Sequence, residues 1–127
     1  MIDERIAQAL KRDRTIDITT IGRKSGQPRR IEIWFYRAGE RFYLSGRPGP
    51  RAWHANLLAN PEFTFHLKGS VRADLLARAT PVADPGKRRV ILTSILKDLE
   101  MSRELEAWVA GSPLMEIEFM QEGSTWK

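Results

Sequence analysis

The chain has 127 residues, 42% hydrophobic and 29% charged, with a net charge of +5 and no cysteine. That length suits one domain able to bury its own core, and the missing cysteine excludes disulfides, thiolate metal sites and a cysteine nucleophile, which fits a cytoplasmic setting. No window approaches the ~20 apolar residues of a membrane span, and the opening MIDERIAQALKRDR has no apolar stretch or small-residue cleavage site, so neither an integral membrane segment nor a signal peptide is expected.

Residues 3–14 read as a helix in which Ile2, Ile6 and Leu10 make one apolar stripe at helical spacing. Residues 15–21 alternate as a strand, with Ile16, Ile18 and Thr20 on one face and Asp17 and Thr19 on the other. A glycine-bounded loop, Gly22 to Pro28, leads to a second strand over 29–37, and Ala38-Gly39-Glu40 turns into a third over 41–45. Gly46-Arg47-Pro48-Gly49-Pro50 breaks regular structure, and a helix follows over 51–60, with Trp53, Leu57 and Leu58 on its apolar side and Asn60-Pro61 as its stop. Residues 63–68 and 71–82 are two more strands around Gly69-Ser70. Asp84-Pro85 suits a helix start; Val90, Ile91, Ile95 and Leu99 mark its face. A short helix from Ser102 carries Leu105, Trp108 and Val109 on one side, and Leu114 to Met120 alternates as a last strand. Six strands that are neighbours in sequence pair antiparallel and lose their exposed edges by closing, so the expectation is an α+β barrel with flanking helices, one domain over 1–127 with an N-terminal helix within 1–14.

The charge is uneven. Between Ile21 and Trp53 stand eight arginines or lysines against two acids, Glu32 and Glu40, so this segment carries +6 and the rest of the chain −1. A local excess points to an anionic ligand; a solvated basic surface is the plainer alternative. Arg23, Lys24, Arg29 and Arg30 lie around Ser25 and the flexible Gly22 and Gly26, a composition able to cradle phosphate or carboxylate with backbone N–H groups and forked guanidinium groups. P-loop spacing is absent. In the second motif, Ser45-Gly46-Arg47-Pro48-Gly49 runs into the helix of Trp53, His54 and Asn56; its glycines permit close approach to a flat ligand and the helix N-terminus offers N–H groups. Trp34 and Tyr36 share one strand face and Ile33 and Phe35 the other; one face is core, and the other is fit to line a ring pocket. His66 reads as structural. Two histidines without a carboxylate at ligand spacing make no metal site, and no nucleophile elbow is present.

The run Ile18-Thr19-Thr20-Ile21-Gly22-Arg23-Lys24-Ser25-Gly26-Gln27-Pro28-Arg29, followed by Trp53-His54-Ala55-Asn56-Leu57-Leu58-Ala59-Asn60-Pro61, resembles the deazaflavin (coenzyme F-420)-dependent nitroreductase family of flavin/deazaflavin oxidoreductases. The resemblance implies a split β-barrel of the FMN-binding-like kind. It implies an enzyme that moves a hydride between coenzyme F-420 and a small-molecule acceptor substrate, an enone, quinone or nitro compound. It implies cofactor contacts from Arg23, Lys24, Ser25, Gly26 and Arg29 or Arg30 to phosphate and tail carboxylates. Ser45, Gly46, Arg47 and Gly49 would lie beside the ring, with Trp53 and Asn56 fixing the helix that frames the site. Tyr36, Tyr43 and His54 are the candidate proton donors. Members often carry tyrosine where His54 stands. Relatives of this fold include FMN-binding oxidoreductases and non-enzymatic cofactor, haem or lipid binders, and these remain the alternative functions, with FMN the runner-up cofactor. Relatives are also commonly homodimers, so the Ile2, Ile6, Leu10 stripe is fit to cover either this barrel or a partner's. Nucleic acid is not an expected partner: the charge sits in a few loops and no recognition module appears.

Overall fold

Asp3 opens the first helix by accepting the Arg5 N–H at 2.7 Å, which satisfies one of the donors a helix start leaves bare. The computed structural model describes residues 3–120. Its elements are α1 (Glu4–Arg12), β1 (Thr15–Ile21), β2 (Pro28–Ala38), β3 (Arg41–Ser45), α2 (Ala52–Ala59), β4 (Glu62–Lys68), β5 (Arg72–Pro81), α3 (Pro85–Asp98), a 3-10 turn (Ser102–Glu104), α4 (Leu105–Gly111) and β6 (Leu114–Phe119). The strands close into a barrel in the order β1-β2-β3-β6-β5-β4, each neighbouring pair antiparallel. The expected barrel with helices around it is what the chain forms.

Alternation decides what fills it. Ile16 and Ile18 of β1, Phe35 of β2, Phe65 and Leu67 of β4, Leu75 and Ala77 of β5 and Met115 of β6 all point inward and are buried. Phe35 and Phe119 each meet Phe65 edge-on with ring centroids 5.1 Å apart, a geometry that aromatic quadrupoles favour. Because β1 and β2 run antiparallel, the start of β1 and the end of β2 share one end of the barrel. There α1 packs Ala9 and Leu10 into the core, and the Arg37 guanidinium holds the carbonyls of Leu10 and Asp13. Ile6 and Leu10 thus cover this chain's own barrel; Ile2 lies outside the described residues. At the opposite end α2 inserts Trp53 and Leu57. A second cluster forms outside the barrel, where Leu92, Ile95 and Leu96 of α3 and Trp108 of α4 pack on Tyr43, Val82 and Leu114.

Two apolar faces differ from expectation. Val90 is 73% exposed, and α3 buries Leu92 and Leu96 beside Ile95 instead. Leu58 is 55% exposed while Leu57 is buried. In both helices several adjacent residues are apolar, so periodicity alone leaves the buried stripe free to rotate, and the contact with the barrel selects it.

The outer face of β1 and β4 is polar and paired. His66 is buried, with Nε2 2.7 Å from the Thr19 Oγ1 and Nδ1 2.8 Å from an Asp74 carboxylate oxygen. Asp17 meets the Lys68 ammonium at 2.7 Å and the Arg30 guanidinium at 3.0 Å. The Lys68 hydrogen bond, aided by Arg30 and opposed by burial, holds the Asp17 carboxyl below its ordinary range. A carboxyl depressed in the folded state adds stability above its unfolded pKa and loses it as the pH falls. Urea midpoints of the wild type and Asp17→Asn are therefore expected to differ at pH 7 and to converge below about pH 4. A gap that stays constant from pH 7 to pH 3 would show that Asp17 contributes nothing through its charge.

Candidate cofactor site

The β1–β2 loop is built by its glycines. The Gly22 N–H donates to the Gln27 carbonyl at 2.9 Å and the Gly26 N–H to the Gly22 carbonyl at 2.9 Å. Gly26 has φ of 70°, a left-handed conformation that a side chain would strain. Gln27 N–H donates to the Ser25 Oγ at 3.1 Å, and the Arg23 N–H to the Asn56 Oδ1 at 3.0 Å. The loop thus spends four of its backbone donors on the protein. The expected backbone cradle is narrowed by this, and the anion-binding capacity passes to side chains.

Those side chains sort themselves by pairing. Of the eight basic residues between Ile21 and Trp53, Arg30 pairs with Asp17 and Arg47 with Glu104 at 3.2 Å, and Arg41 pairs with Glu116. Arg37 is engaged with carbonyls below the barrel, and the Arg51 guanidinium folds back onto the carbonyls of Arg47, Gly49 and Pro50 at 2.9–3.1 Å. Arg23, Lys24 and Arg29 have no carboxylate at ion-pair distance among the described residues. All three line one cleft of about 430 Å³, with Gly22 and Ser25 from the loop, Ile31 from β2, Thr20 from β1, and Ala52, Trp53 and Asn56 from α2. Arg51, the N-cap of α2, makes no side-chain cap bond, and Ala52 in the first turn opens on the same cleft. Three cations without acids, beside an apolar wall, fit a ligand that carries phosphate and carboxylate groups at one end.

A second cleft, of about 620 Å³, lies over the outward face of β2. Trp34, 47% exposed, and Tyr36 form its floor, while Phe35 between them is buried. Arg14 stacks over the Trp34 ring at 5.3 Å, and Arg47, Met101 and Trp108 complete the walls. Asp98 and Glu100 also border it; Glu100 ends α3 in a left-handed conformation, φ 59°, where glycine is usual. Burial pushes the Tyr36 phenol up, and the nearby Arg14 and Arg47 charges oppose that shift.

The sequence-expected residues therefore fall into separate places. Arg23, Lys24, Ser25, Arg29, Trp53 and Asn56 meet in the first cleft. Gly26 shapes the loop of that cleft, and Arg30 points to the other side of β2. Arg47 and Tyr36 meet in the second cleft. Ser45 is buried, its Oγ donating to the Pro113 carbonyl at 2.7 Å; the Gly49 N–H donates to the Gly111 carbonyl at 3.1 Å, so these two residues and Gly46 between them form a loop tied to the end of α4. The three proton-donor candidates do not converge. Tyr43 is buried and borders a different open groove with Arg41 and Glu116. His54 is half-buried, perpendicular to Trp53, and lines neither cleft; burial and then the Arg88 charge depress its pKa, so it is neutral at pH 7. Thr20, Ile31, Arg14, Met101 and Trp108 also line the clefts, and none of them is a sequence-expected site residue. Period two carries Ile31 onto the face of Arg29, which was a usable signal. Nothing local marks Arg14 or Met101, whose association is tertiary.

A family model described as F420H(2)-dependent quinone reductase matches residues 2–102. Among solved structures, a conserved hypothetical protein of Mycobacterium tuberculosis shares the fold at TM-score 0.76 and 19% identity, over 95% of this chain and 82% of that one. A reductase described as F420-H2 dependent aligns at TM-score 0.63 and 17% identity, over 84% of this chain and 95% of the other. A haem storage protein of Vibrio cholerae aligns at TM-score 0.64 and 14% identity, over 94% and 90%. At these identities the structural likeness speaks for the split-barrel fold, which thus hosts more than one role.

Proposed function

This chain belongs to the F420H(2)-dependent quinone reductase family, and from that premise we propose that it reduces a small planar acceptor of the quinone, enone or nitro class. It is an oxidoreductase that uses coenzyme F-420. The observation that carries the site assignment is the set of three cations in one cleft, Arg23, Lys24 and Arg29, that have no carboxylate partner among the described residues. These hold the phosphate and the carboxylate tail, and Trp53 and Ile31 supply apolar contact. The loop of Arg47, anchored through Ser45 and Gly49, and the floor of Trp34 and Tyr36 serve the ring and the acceptor. Homodimer assembly and residence in the cytoplasm belong to the same proposal; among the described residues no helix is long and apolar enough to cross a membrane.

When bound, the reduced deazaflavin supplies a hydride. This chain's part is to hold, orient and protonate. An acceptor that gains a hydride at one atom needs a proton at another. Of the three candidate donors, Tyr36 alone lines the second cleft. Its raised pKa keeps the phenol protonated at pH 7, and Arg14 and Arg47 stabilise the phenolate left after donation. Tyr36→Phe is expected to lower kcat with a simple naphthoquinone by about 10²-fold while the Kd for oxidised coenzyme F-420 stays within twofold. An unchanged kcat would remove Tyr36 from the proton path.

The whole reading is tested by titrating the protein with oxidised coenzyme F-420 and, in parallel, with FMN. Binding of the deazaflavin followed by quinone reduction above the rate of free cofactor supports it. Binding of FMN alone transfers the chemistry to flavin, and binding without faster reduction favours a storage role.

A further inference from the structure

We propose that Asn56 is a positioning residue that sets Arg23 for anion binding, and that its being an amide rather than a carboxylate is what keeps Arg23 available to a ligand. The inference rests on the cofactor-site reading above. Asn56 is 7% exposed and faces the first cleft from α2. Its Oδ1 accepts the Arg23 N–H at 3.0 Å and lies 3.4 Å from the Arg23 Nη1, while its Nδ2 donates to the buried Thr20 Oγ1 at 3.4 Å. One side chain therefore fixes the root of the loop, the direction of the Arg23 guanidinium and the end of β1.

Aspartate is the alternative of nearly the same shape here. Its carboxylate keeps an acceptor for the Arg23 N–H, makes both bonds to Arg23 charge-assisted, and accepts the Thr20 hydroxyl proton with its second oxygen. The same carboxylate would close an ion pair with Arg23 inside the cleft and cancel one of its three unopposed cations. An amide orients Arg23 at no cost in charge. The two residues thus differ in the charge they put beside Arg23, and the residue present is the one that suits an anionic ligand.

The two roles are separated by ranking Asn56→Asp against Asn56→Ala. Thermal midpoints are read on the unliganded proteins, and affinities for oxidised coenzyme F-420 by fluorescence titration across a salt series. Pyrophosphate, by calorimetry, serves as a second anion that does not depend on the deazaflavin. The Asp variant is expected to fold cooperatively and to bind both anions about tenfold or more weakly, with a shallower salt dependence. The Ala variant is expected to melt lower and to lose less affinity than the Asp variant. Wild-type affinity in the Asp variant, or the larger loss in the Ala variant, would overturn the inference and leave Asn56 a packing residue. Pyrophosphate binding with that order, but no binding of coenzyme F-420 by the wild type, would keep the inference and sink the cofactor reading. A wild type that binds neither anion overturns both.

Discussion

Alanine at both Arg23 and Lys24 is expected to weaken binding of oxidised coenzyme F-420 by about 10³-fold, from two lost charge-assisted contacts at roughly 2 kcal/mol each. The size of the effect comes from the absence of any internal competitor. A paired arginine such as Arg30 must leave Asp17 to serve a ligand, whereas Arg23 and Lys24 have no carboxylate to leave among the described residues. Both lie in an exposed loop whose backbone bonds survive the change, including the Arg23 N–H to Asn56, so the thermal midpoint should hold within a degree or two. The salt dependence of binding should become shallower, since fewer cations engage the ligand. Arg30→Ala removes the same charge from the other face of β2 and is the proper control; its effect on affinity should stay below about twofold through screening. Equal losses in Arg30→Ala and in the double variant would mean that general positive charge, and not this cleft, attracts the cofactor. Wild-type affinity in the double variant would place the polyanion elsewhere.

Arg88→Met is expected to cost about 3–5 kcal/mol of folding stability, read as a lower urea midpoint at unchanged slope. Arg88, on α3, donates to the carbonyls of Val82, Trp108, Val109 and Ser112 at 2.7–3.0 Å and approaches the Ser112 Oγ at 3.3 Å. Trp108 and Val109 lie in the last turn of α4, where a cation is favoured and the Val109 carbonyl has no intrahelical partner, the Trp108 carbonyl already accepting the Ser112 N–H. Methionine keeps the apolar stem but orphans the carbonyls of Val82, Val109 and Ser112, each worth roughly 1 kcal/mol or more when buried, while the Trp108 carbonyl keeps the Ser112 N–H at 2.9 Å and the Ser112 hydroxyl at 2.8 Å. Lysine cannot serve them either, because an ammonium is a point and the four carbonyls need the spread of a guanidinium. The damage should reach the site. Gly111 and Pro113, at the end of the same helix, accept from Gly49 and Ser45, so loosening α4 loosens the loop that carries Arg47. His54 gives a second readout: removing the Arg88 charge relieves one cause of its low pKa, so its titration by NMR should move upward. An unfolding free energy within about 1 kcal/mol of wild type would show that water satisfies these carbonyls.

Features that depend on neighbours in the chain are legible in the order of residues. The bounds of β1 and β3 follow from alternation and from the breaks that flank them, and Asp3 and Asp84 announce the starts of α1 and α3 because capping is a bond across two or three residues. The two ordered motifs, Gly22 to Arg29 and Trp53 to Pro61, were enough to point to the family and, through it, to the barrel and the deazaflavin.

Which groups meet depends on how the elements pack in space. In sequence the eight basic residues between Ile21 and Trp53 are equivalent; in space three remain unopposed among the described residues, because Asp17, Glu104, Glu116 and a set of backbone carbonyls engage the others. Arg47 and Glu104 stand 57 positions apart, and no local pattern links them. Tyr36 and Tyr43 both sit on aromatic strands and are direct partners across β2 and β3, yet one lines the second cleft and the other is covered by α3 and α4. Val90 and Leu58 stay in water for the same reason. Periodicity gives a segment its faces, but the element packed against it chooses which face is buried and which charge is left free.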